Sequence, residues 1–394
     1  MIPVETSPSR LAISRRGLIL AGAATALSPA LPSPAAADEA LAAFVTDTMT
    51  RAGVAGMAVG YARDGVVRLA EGYGLADVES GRRVTGQTVF HVASLTKPVI
   101  ATAVMMLAEA GLLDVDEPVA PHLDFAIGNP VHPGVDITFR HLMAHVSSIS
   151  DKTCYAVDFR QPGRDAVMPL DTFLRDYLTP GGAHYSAEGS YSPAAPGARW
   201  DYSNVGYALL GHAAGRVAGQ DLRHFIDERL FAPLGMRRVS WSIAGTPADA
   251  AVPYDSVDGV RTRVQPVGFP DWPGGMLRAS VMDYTRFLAA ATNGGVWGDA
   301  RILTGADLEQ MMAPTTPPGL PAWLTGQGLG WQRSKLDGVD LVEHWGGDPG
   351  VCNAAYLDPA RRTAVAVFTN ASGSREVMTA VKAVAGRLMS RDTP

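Results

Sequence analysis

A serine and a lysine three residues apart, Ser94 and Lys97, form a pair whose types and spacing suit covalent chemistry. On a helix, residues three apart share a face, so the hydroxyl and the amine can meet. A serine hydroxyl becomes a good nucleophile when a neighbouring base takes its proton, and an unprotonated amine is such a base. Amide hydrogens at the start of the helix would also stabilise negative charge on a reacting carbonyl oxygen. The spacing alone is weak evidence, because Ser94 would serve equally well as a helix N-cap.

A second group is the run Tyr202-Ser203-Asn204, which follows a Pro/Gly-rich stretch and precedes a predicted helix. A lysine ammonium near the tyrosine would favour the phenolate, because opposite charges attract. The asparagine offers a donor and an acceptor to an amide or ester substrate. Taken alone, the run is more typical of a helix start that Ser203 or Asn204 caps.

The third group is His344-Trp345-Gly346-Gly347, at the end of a predicted strand. Paired glycines let the backbone approach a ligand closely, so the Gly347 amide is a candidate donor to an oxyanion. The alternative is a glycine-rich turn with a surface histidine.

The elements that must position these groups divide by their place in the chain. Strand patterns occur near both ends, and helical patterns fill the middle. The simplest packing is an α+β fold with one antiparallel sheet between the first and last helices and an all-helical subdomain inserted at roughly 115–300, with the site in the cleft between the two parts. The long loop 179–198 is typical of a wall or lid of such a site. The predicted strands are 54–62, 66–70, 88–92, 340–345, 351–357 and 363–369, and the predicted helices include 38–52, 94–110, 138–146, 170–177, 205–217 and 221–231.

Composition excludes several classes of protein. With 394 residues, 47% hydrophobic and 18% charged, the chain is neither disordered nor fibrous. A net charge of −6 gives no reason to expect nucleic acid or an anionic membrane as partner. His141 and His145 have a spacing that could bind a metal, but no Glu follows His141, so we expect structural roles for them. We expect neither a metal nor a cofactor.

Residues 1–37 resemble a twin-arginine export signal. Arg15 and Arg16 stand directly before an apolar stretch that is too short to span a bilayer, and Ala35 to Ala37 suit cleavage before Asp38. A membrane-anchored or frayed N-terminus is the alternative. We therefore expect an exported protein, periplasmic or secreted, in which 38–394 form a single domain that has no membrane contact after removal of the signal.

Together and in this order, the three motifs resemble those of the penicillin-recognising serine hydrolases, in the branch of class C β-lactamases, D,D-carboxypeptidases and related esterases. The segment 137–148 is similar to the family's "I-T-x-R-x-L-L-x-H-T-S-G", and further similar segments occur at 234–236, 274–280 and 328–331. The resemblance extends over essentially all of 38–394. It implies a β-lactamase/transpeptidase-like fold, in agreement with the packing inferred from the elements.

The resemblance also implies roles for individual residues. Ser94 would be the nucleophile, Lys97 its partner, and Tyr202 the general base that also reprotonates the leaving group. The substrate would be bound by Asn204, His344 and Gly346. The oxyanion would be bound by the backbone amides of Ser94 and Gly347.

Two residues depart from the family pattern. His344 stands where the family's K-T-G motif has a lysine, and a histidine is mostly neutral at pH 7, so it is less suited to the carboxylate of a β-lactam or a C-terminal D-residue. Ser148 replaces the glycine of "H-T-S-G". We therefore favour an ester or small amide as substrate, cleaved through an acyl-enzyme.

Other functions stay open at this stage. Within the same chemistry they are a D-amino-acid peptidase or D,D-carboxypeptidase, a β-lactamase and a transacylase. From a different class, the protein would be a sensor that is acylated once or a non-catalytic binding module. The expected partner is a small ester, amide or peptide, and the sequence leaves the oligomeric state undetermined.

Cys154 and Cys352 are the two cysteines of the chain, which excludes a disulfide scaffold and a four-cysteine zinc module. In the family fold both segments would border the site. The sequence leaves open whether the two form a disulfide or remain separate thiols.

Overall fold

A computed structural model of the chain describes residues 34–257 and 260–391. The chain divides into two units, residues 1–40 and 41–394. The predicted export motif with Arg15 and Arg16 lies outside the described residues. The described part of the first unit begins helix Pro34–Ala52, which contains the predicted helix 38–52. Within the described ranges, no helix is both long and apolar enough to cross a membrane.

Helices form where the sequence predicted them, with small shifts at their ends. The described ranges contain α1 (Pro34–Ala52), α2 (Thr96–Glu109), α3 (Phe139–Met143), α4 (Lys152–Val157), α5 (Leu170–Leu178), α6 (Ala187–Ser190), α7 (Asn204–Ala218), α8 (Leu222–Ile226), α9 (Val281–Thr292), α10 (Gly305–Met312) and α11 (Arg375–Met389). Short 3-10 turns are formed by Ala93–Leu95, Ala120–His122 and Trp272–Gly274, and α8 continues into a π-helical turn at Asp227–Phe231.

Strands from both ends of the chain form one large antiparallel sheet, as predicted. In chain order the strands are β1 (Gly56–Arg63), β2 (Val66–Asp77), β3 (Arg82–Arg83), β4 (Val89–His91), β5 (Gln161–Pro162), β6 (Val239–Ser240), β7 (Tyr254–Val257), β8 (Val260–Arg263), β9 (Val267–Gly268), β10 (Arg278–Ser280), β11 (Val296–Trp297), β12 (Ala300–Arg301), β13 (Leu324–Gln327), β14 (Gln332–Leu336), β15 (Val339–Asp348), β16 (Val351–Asp358) and β17 (Thr363–Thr369). The order in the large sheet is β13-β14-β15-β16-β17-β1-β2-β3.

The two faces of this sheet are buried by different helices. Helix α11 packs on β16 and β17, and α9 packs on β1, β2 and β17. Alternate residues of β1 serve the two sides. Val59 and Tyr61 join the apolar cluster that contains residues of α11. Gly60 lies against Thr285 of α9, where a Cβ would come within 1.9 Å of the threonine oxygen, so this strand can approach the helix only with glycine there.

The α+β fold predicted from the sequence is confirmed, but the middle of the chain is not all helical. Between 115 and 300 the chain also forms short strands, among them β6 and β10. Together with β4 these form a separate three-stranded sheet, in which β10 lies in the middle and pairs with both β4 and β6. Their register places Arg278 opposite His91. Pairing with β4 was not visible in the sequence, because the two strands have three residues each and lie far apart in the chain.

The structure keeps Cys154 and Cys352 as two free thiols, so the disulfide alternative is wrong. The physical reason is that they pack in different apolar clusters. Cys352 on β16 is buried in the cluster that contains residues of α11. Cys154 on α4 is only partly buried, at the edge of the cluster that lies on the other side of the sheet.

Candidate active site

Ser94 occupies a sharp turn between a strand and a helix. Strand β4 ends at His91, the 3-10 turn Ala93–Leu95 follows, and α2 begins directly after it. Ala93 has φ +48°, a left-handed conformation that residues with a Cβ rarely adopt. Such a conformation costs on the order of 1–3 kcal/mol and persists only when the surrounding structure imposes it. The turn therefore fixes the position of the serine that follows.

Lys97 connects the serine to two other segments of the chain. Its Nζ donates to Ser94 Oγ at 3.1 Å, to Asn204 Oδ1 at 2.7 Å and to the Gly274 carbonyl oxygen at 2.6 Å. An ammonium group has three hydrogens, and these three acceptors use all of them. The side chain is fully buried. The predicted approach of Ser94 and Lys97 on one helical face is therefore present in the structure.

Burial also changes the acidity of this lysine. Loss of hydration lowers the pKa of Lys97 to about 7, although the negative charges of Asp151 and Asp271 oppose the shift. At neutral pH a substantial fraction of the side chain is therefore an uncharged amine. In that state its lone pair can accept the proton of the Ser94 hydroxyl.

Asp151 organises the start of α7, where the second motif lies. Its carboxylate accepts hydrogen bonds from Ser203 Oγ at 2.7 Å and from the backbone amides of Asn204 at 2.7 Å and Val205 at 3.0 Å. The start of a helix attracts negative charge, because its first amides have no partner within the helix. Burial raises the pKa of Asp151, and these hydrogen bonds oppose that shift. No pattern in the sequence singled out this residue.

Tyr202 lies over the lysine and against a histidine. Lys97 Nζ is 4.6 Å from the centre of the Tyr202 ring, which stacks on His145 with ring centres 4.2 Å apart. Burial raises the pKa of Tyr202 far above its usual range, and a hydrogen bond with Ser94 opposes the shift only in part. The phenol is therefore protonated in the resting site. The expectation of a lowered pKa is therefore wrong in direction, because loss of hydration dominates the shift and the charges of Tyr155 and Asp151 raise the pKa further.

The two histidines of α3 and its end have separate roles within the protein. His141 forms a capping box with Thr138, whose amide donates to the His141 Nδ1 at 3.4 Å. His145 has φ +57° and accepts a hydrogen bond from the Ser203 amide at its Nδ1, at 3.2 Å. Burial lowers the pKa of His145 well below its usual value, so the ring is neutral. The His145 ring packs against one face of the Tyr202 ring and so supports it.

His344 lies beneath the site rather than on its wall. The side chain is 2% exposed, and its Nδ1 donates to the Trp345 carbonyl oxygen at 2.7 Å. Burial, reinforced by the charge of Lys97, lowers the pKa of His344 to about 3, so the ring is neutral. Its centre is 6.4 Å from that of the Tyr202 ring. His344 is not among the residues that line the cleft over Ser94, and its contact with substrate stays a prediction.

The two glycines of the third motif serve different purposes. A Cβ on Gly346 would lie 2.1 Å from the Val92 carbonyl oxygen, so β15 passes directly against the turn that carries the nucleophile. Gly347 is exposed, and a Cβ added to it would meet no atom within 4 Å. Its backbone borders the open space next to Ser94. The close approach therefore explains the glycine at 346, whereas packing does not require a glycine at 347.

A cleft of about 420 Å³ opens over the nucleophile. Ser94, Tyr202, Asn204 and Gly347 line it, as predicted, whereas the long loop 179–198 does not. The segment of Cys154 was expected to border the site. Most other parts of the wall were not predicted, because they come from the rest of α4, from the irregular segment after it and from the turn before β10. The additional lining residues are Ala93, Cys154, Tyr155, Asp158, Phe159, Arg160, Phe269, Asp271, Gly274, Gly275 and Asp348.

Comparison with known proteins places this geometry in a family. A family model described as Beta-lactamase matches residues 41–387. The chain is 32% identical to Esterase EstB of Burkholderia gladioli over 197 residues, which are 49% of this chain and 48% of that protein. It is 25% identical to Unguisins hydrolase ungD of Aspergillus violaceofuscus over 352 residues, 77% of this chain and 56% of that one. The chain thus spans about half the length of these two curated relatives.

Solved structures agree with this assignment. The chain is similar to the octameric penicillin-binding protein homologue from Pyrococcus abyssi, with a TM-score of 0.72 and 26% identity over 90% of this chain and 78% of that one.

Proposed function

The chain belongs to the beta-lactamase family, and we propose that it is a serine hydrolase that cleaves an ester or small amide through an acyl-enzyme on Ser94. The observation that supports this most strongly is the buried Lys97 amine, which contacts the serine hydroxyl at 3.1 Å. With a pKa of about 7, this amine is a base of suitable strength at neutral pH. The name of the esterase relative supports an ester substrate.

In acylation, the neutral Lys97 amine accepts the Ser94 proton while the serine oxygen forms a bond to the substrate carbonyl carbon. The carbonyl electron pair moves onto its oxygen, which faces the backbone amides of Ser94 and Gly347. Preorganised amides of this kind stabilise the developing negative charge without rearrangement during the reaction. The carbonyl then re-forms as the bond to the leaving group breaks.

Tyr202 supplies the proton that the leaving group needs. Its phenol is protonated at rest and hydrogen-bonds with Ser94, so it lies next to the atom where the reaction occurs. As it gives up its proton, the nearby Lys97 ammonium can restore it. In deacylation a water molecule loses a proton to the same pair, attacks the acyl carbon, and Ser94 leaves with a proton. Tyr202 therefore relays protons between lysine and substrate in this scheme, rather than acting as a resting phenolate.

Among the alternatives, a β-lactamase or carboxypeptidase needs a group that holds the substrate carboxylate. The neutral, buried His344 does not provide a fixed cation for this purpose. We therefore place an ester or amide without a carboxylate ahead of these substrates.

The test uses Ser94→Ala, with Ser390→Ala at the exposed end of α11 as the matched control. Loss of the nucleophile should reduce turnover of p-nitrophenyl esters by several orders of magnitude and abolish the mass adduct formed by a fluorophosphonate. Ser390→Ala should keep both. Undiminished labelling of Ser94→Ala would contradict the proposal. A parallel assay with nitrocefin compares a β-lactam with the best ester.

We also propose that residues 1–37 direct export of the folded protein, because Arg15 and Arg16 stand before a short apolar stretch and small residues precede Asp38. Replacing Arg15 and Arg16 with lysines in the full chain should retain the unprocessed protein in the cytoplasm of a bacterial host. The unmodified chain should appear outside it with Asp38 as its first residue. An N-terminus upstream of residue 38 in the exported fraction would contradict the cleavage position.

A further inference from the structure

The walls of the cleft carry more negative than positive side chains. Three carboxylates line it, those of Asp158, Asp271 and Asp348, whereas Arg160 supplies the one guanidinium among the described lining residues. A cleft of this charge attracts cations and repels carboxylates.

Two of the three carboxylates share that guanidinium. Arg160 Nη1 is 3.4 Å from Asp348 Oδ1, and its Nε is 3.8 Å from Asp158 Oδ1. Asp158 lies at the open side of the cleft, with a side chain that is 70% exposed. The third carboxylate, that of Asp271, forms no ion pair with any residue in the described ranges. The hydrogen bond that it accepts comes from its own backbone amide.

Asp271 is also the least hydrated of the carboxylates on the cleft wall, with 7% of its surface exposed. Burial, and then the charge of Asp151, raises the pKa of Asp271 to about 7. A buried carboxylate without an ion-pair partner is costly, because it has lost water, and the charges of Lys97 and Arg160 offset only part of that loss. A cation that entered the cleft would supply the missing partner.

Aromatic side chains surround the same space. Tyr155, Phe159 and Phe269 line the cleft together with Asp271. The face of an aromatic ring attracts a cation, and a carboxylate accepts hydrogen bonds from an ammonium group. This combination of groups suits an amine better than a metal ion, which would need several oxygen ligands.

We propose that Asp271 is a specificity-determining residue that binds an ammonium group of the substrate, so that the preferred substrates are esters or amides that carry a free amine. This inference rests on the proposed serine hydrolase function and adds the substrate class to it. Asp271 accepts the ammonium hydrogens while Ser94 attacks the carbonyl carbon.

The first experiment compares matched substrates with the unmodified enzyme at pH 7.5. One pair differs on the acyl side: the p-nitroanilides of alanine, in both enantiomers, and of propionic acid. The other differs on the leaving group: 4-(aminomethyl)phenyl and 4-methylphenyl propionate. Each kcat/KM is divided by the rate constant for hydroxide-catalysed hydrolysis, which removes the activating effect of the ammonium group on the carbonyl. The amine-bearing member of at least one pair should be preferred by tenfold or more.

The second experiment repeats the measurement with Asp271→Asn, with Asp158→Asn as matched control. Asp271→Asn should reduce the preference about 10- to 100-fold, as expected for the loss of one charge-assisted hydrogen bond. Asp158 has φ +53°, which asparagine tolerates, and it lies near solvent, so its replacement should change the preference by less than about threefold. The ratio of the two substrates is used because the charge of Asp271 also affects Lys97, and that effect is common to both.

If Asp271→Asn does not fold, inhibition of the unmodified enzyme replaces it. Butylammonium should compete with a neutral ester, whereas butanol at equal concentration should not. Equal use of amine-bearing and neutral substrates, an undiminished preference in a folded Asp271→Asn protein, or no competition by butylammonium would each overturn the proposal. Neutral esters would still be cleaved in those cases, whereas loss of all turnover would contradict the proposed function itself.

Discussion

Ser148 combines two unfavourable features in one buried residue next to the site. Its φ is +67°, in the left-handed region that favours glycine. Its hydroxyl oxygen is buried and has no hydrogen-bond partner among the described residues. The family motif that this segment resembles has glycine at the position, and the left-handed backbone accounts for that glycine. We predict that Ser148→Gly stabilises the protein.

The expected gain is the balance of four contributions, two favourable and two unfavourable. Relief of the left-handed conformation contributes about 1–2 kcal/mol. Removal of a buried hydroxyl without a partner contributes about 1–3 kcal/mol. The greater freedom of glycine in the unfolded chain costs about 0.5–1 kcal/mol, and the small space left by the side chain costs a similar amount. The free energy of unfolding should therefore rise by about 1–3 kcal/mol, which for a domain of this length raises Tm by about 1.5–4 °C.

Two further variants separate the contributions. Ser148→Ala removes the hydroxyl but keeps the Cβ, so it should gain less than Ser148→Gly. Ser147→Ala is the matched control, because that neighbouring serine is also buried but its Oγ accepts a hydrogen bond from the Ile149 amide at 3.3 Å. It should lower the free energy of unfolding by about 1 kcal/mol. Urea unfolding followed by fluorescence measures all three. A Ser148→Gly protein no more stable than the unmodified one would refute the reasoning.

Three further predictions concern the lysine, the third motif and its histidine. The value of kcat/KM should fall as the pH drops below about 7, because Lys97 becomes protonated and can no longer accept the serine proton. In Asp271→Asn this fall should occur at lower pH, since the lost negative charge had raised the pKa of the lysine. Gly346→Ala should prevent stable folding, because its Cβ would lie 2.1 Å from a backbone oxygen. Gly347→Ala should have a Tm close to that of the unmodified protein, because its Cβ would meet no atom within 4 Å. Equal Tm values for the two variants would contradict this. His344→Lys should lower the free energy of unfolding by several kcal/mol, because it buries a second cation near Lys97. It should not improve turnover of substrates that carry a carboxylate. A gain in such turnover would show that the side chain reaches the cleft.

The sequence predicted those parts of the site that depend on local order. Ser94 and Lys97 are three apart at the start of a helix, and helical geometry alone brings them together. Asn204 follows its N-cap serine at the start of α7, so its place at a helix start was also visible. The strand alternation near both ends likewise predicted the sheet.

The rest depends on contacts between distant segments, which local patterns do not encode. Asp151 and Asp271 lie in irregular segments, and each affects Lys97 only because the fold buries all three together. The predicted direction of the Tyr202 pKa shift was wrong for the same reason. The attraction of a lysine was predictable from chemistry, but the larger effect of burial depends on how completely the fold excludes water from the ring.

Two residues with a strained backbone lie next to the reaction centre. Ala93 and His145 both have positive φ, although neither is the glycine or asparagine that usually adopts it. Away from the site, positive φ occurs at Asp64, Asp337 and Arg362, in turns between strands, and an aspartate tolerates it at low cost. The strain at Ala93 orients the nucleophile, and that at His145 places its ring under Tyr202. The backbone thus adopts an unfavourable conformation at the two residues that set the positions of Ser94 and Tyr202. This is where a catalytic role would require it.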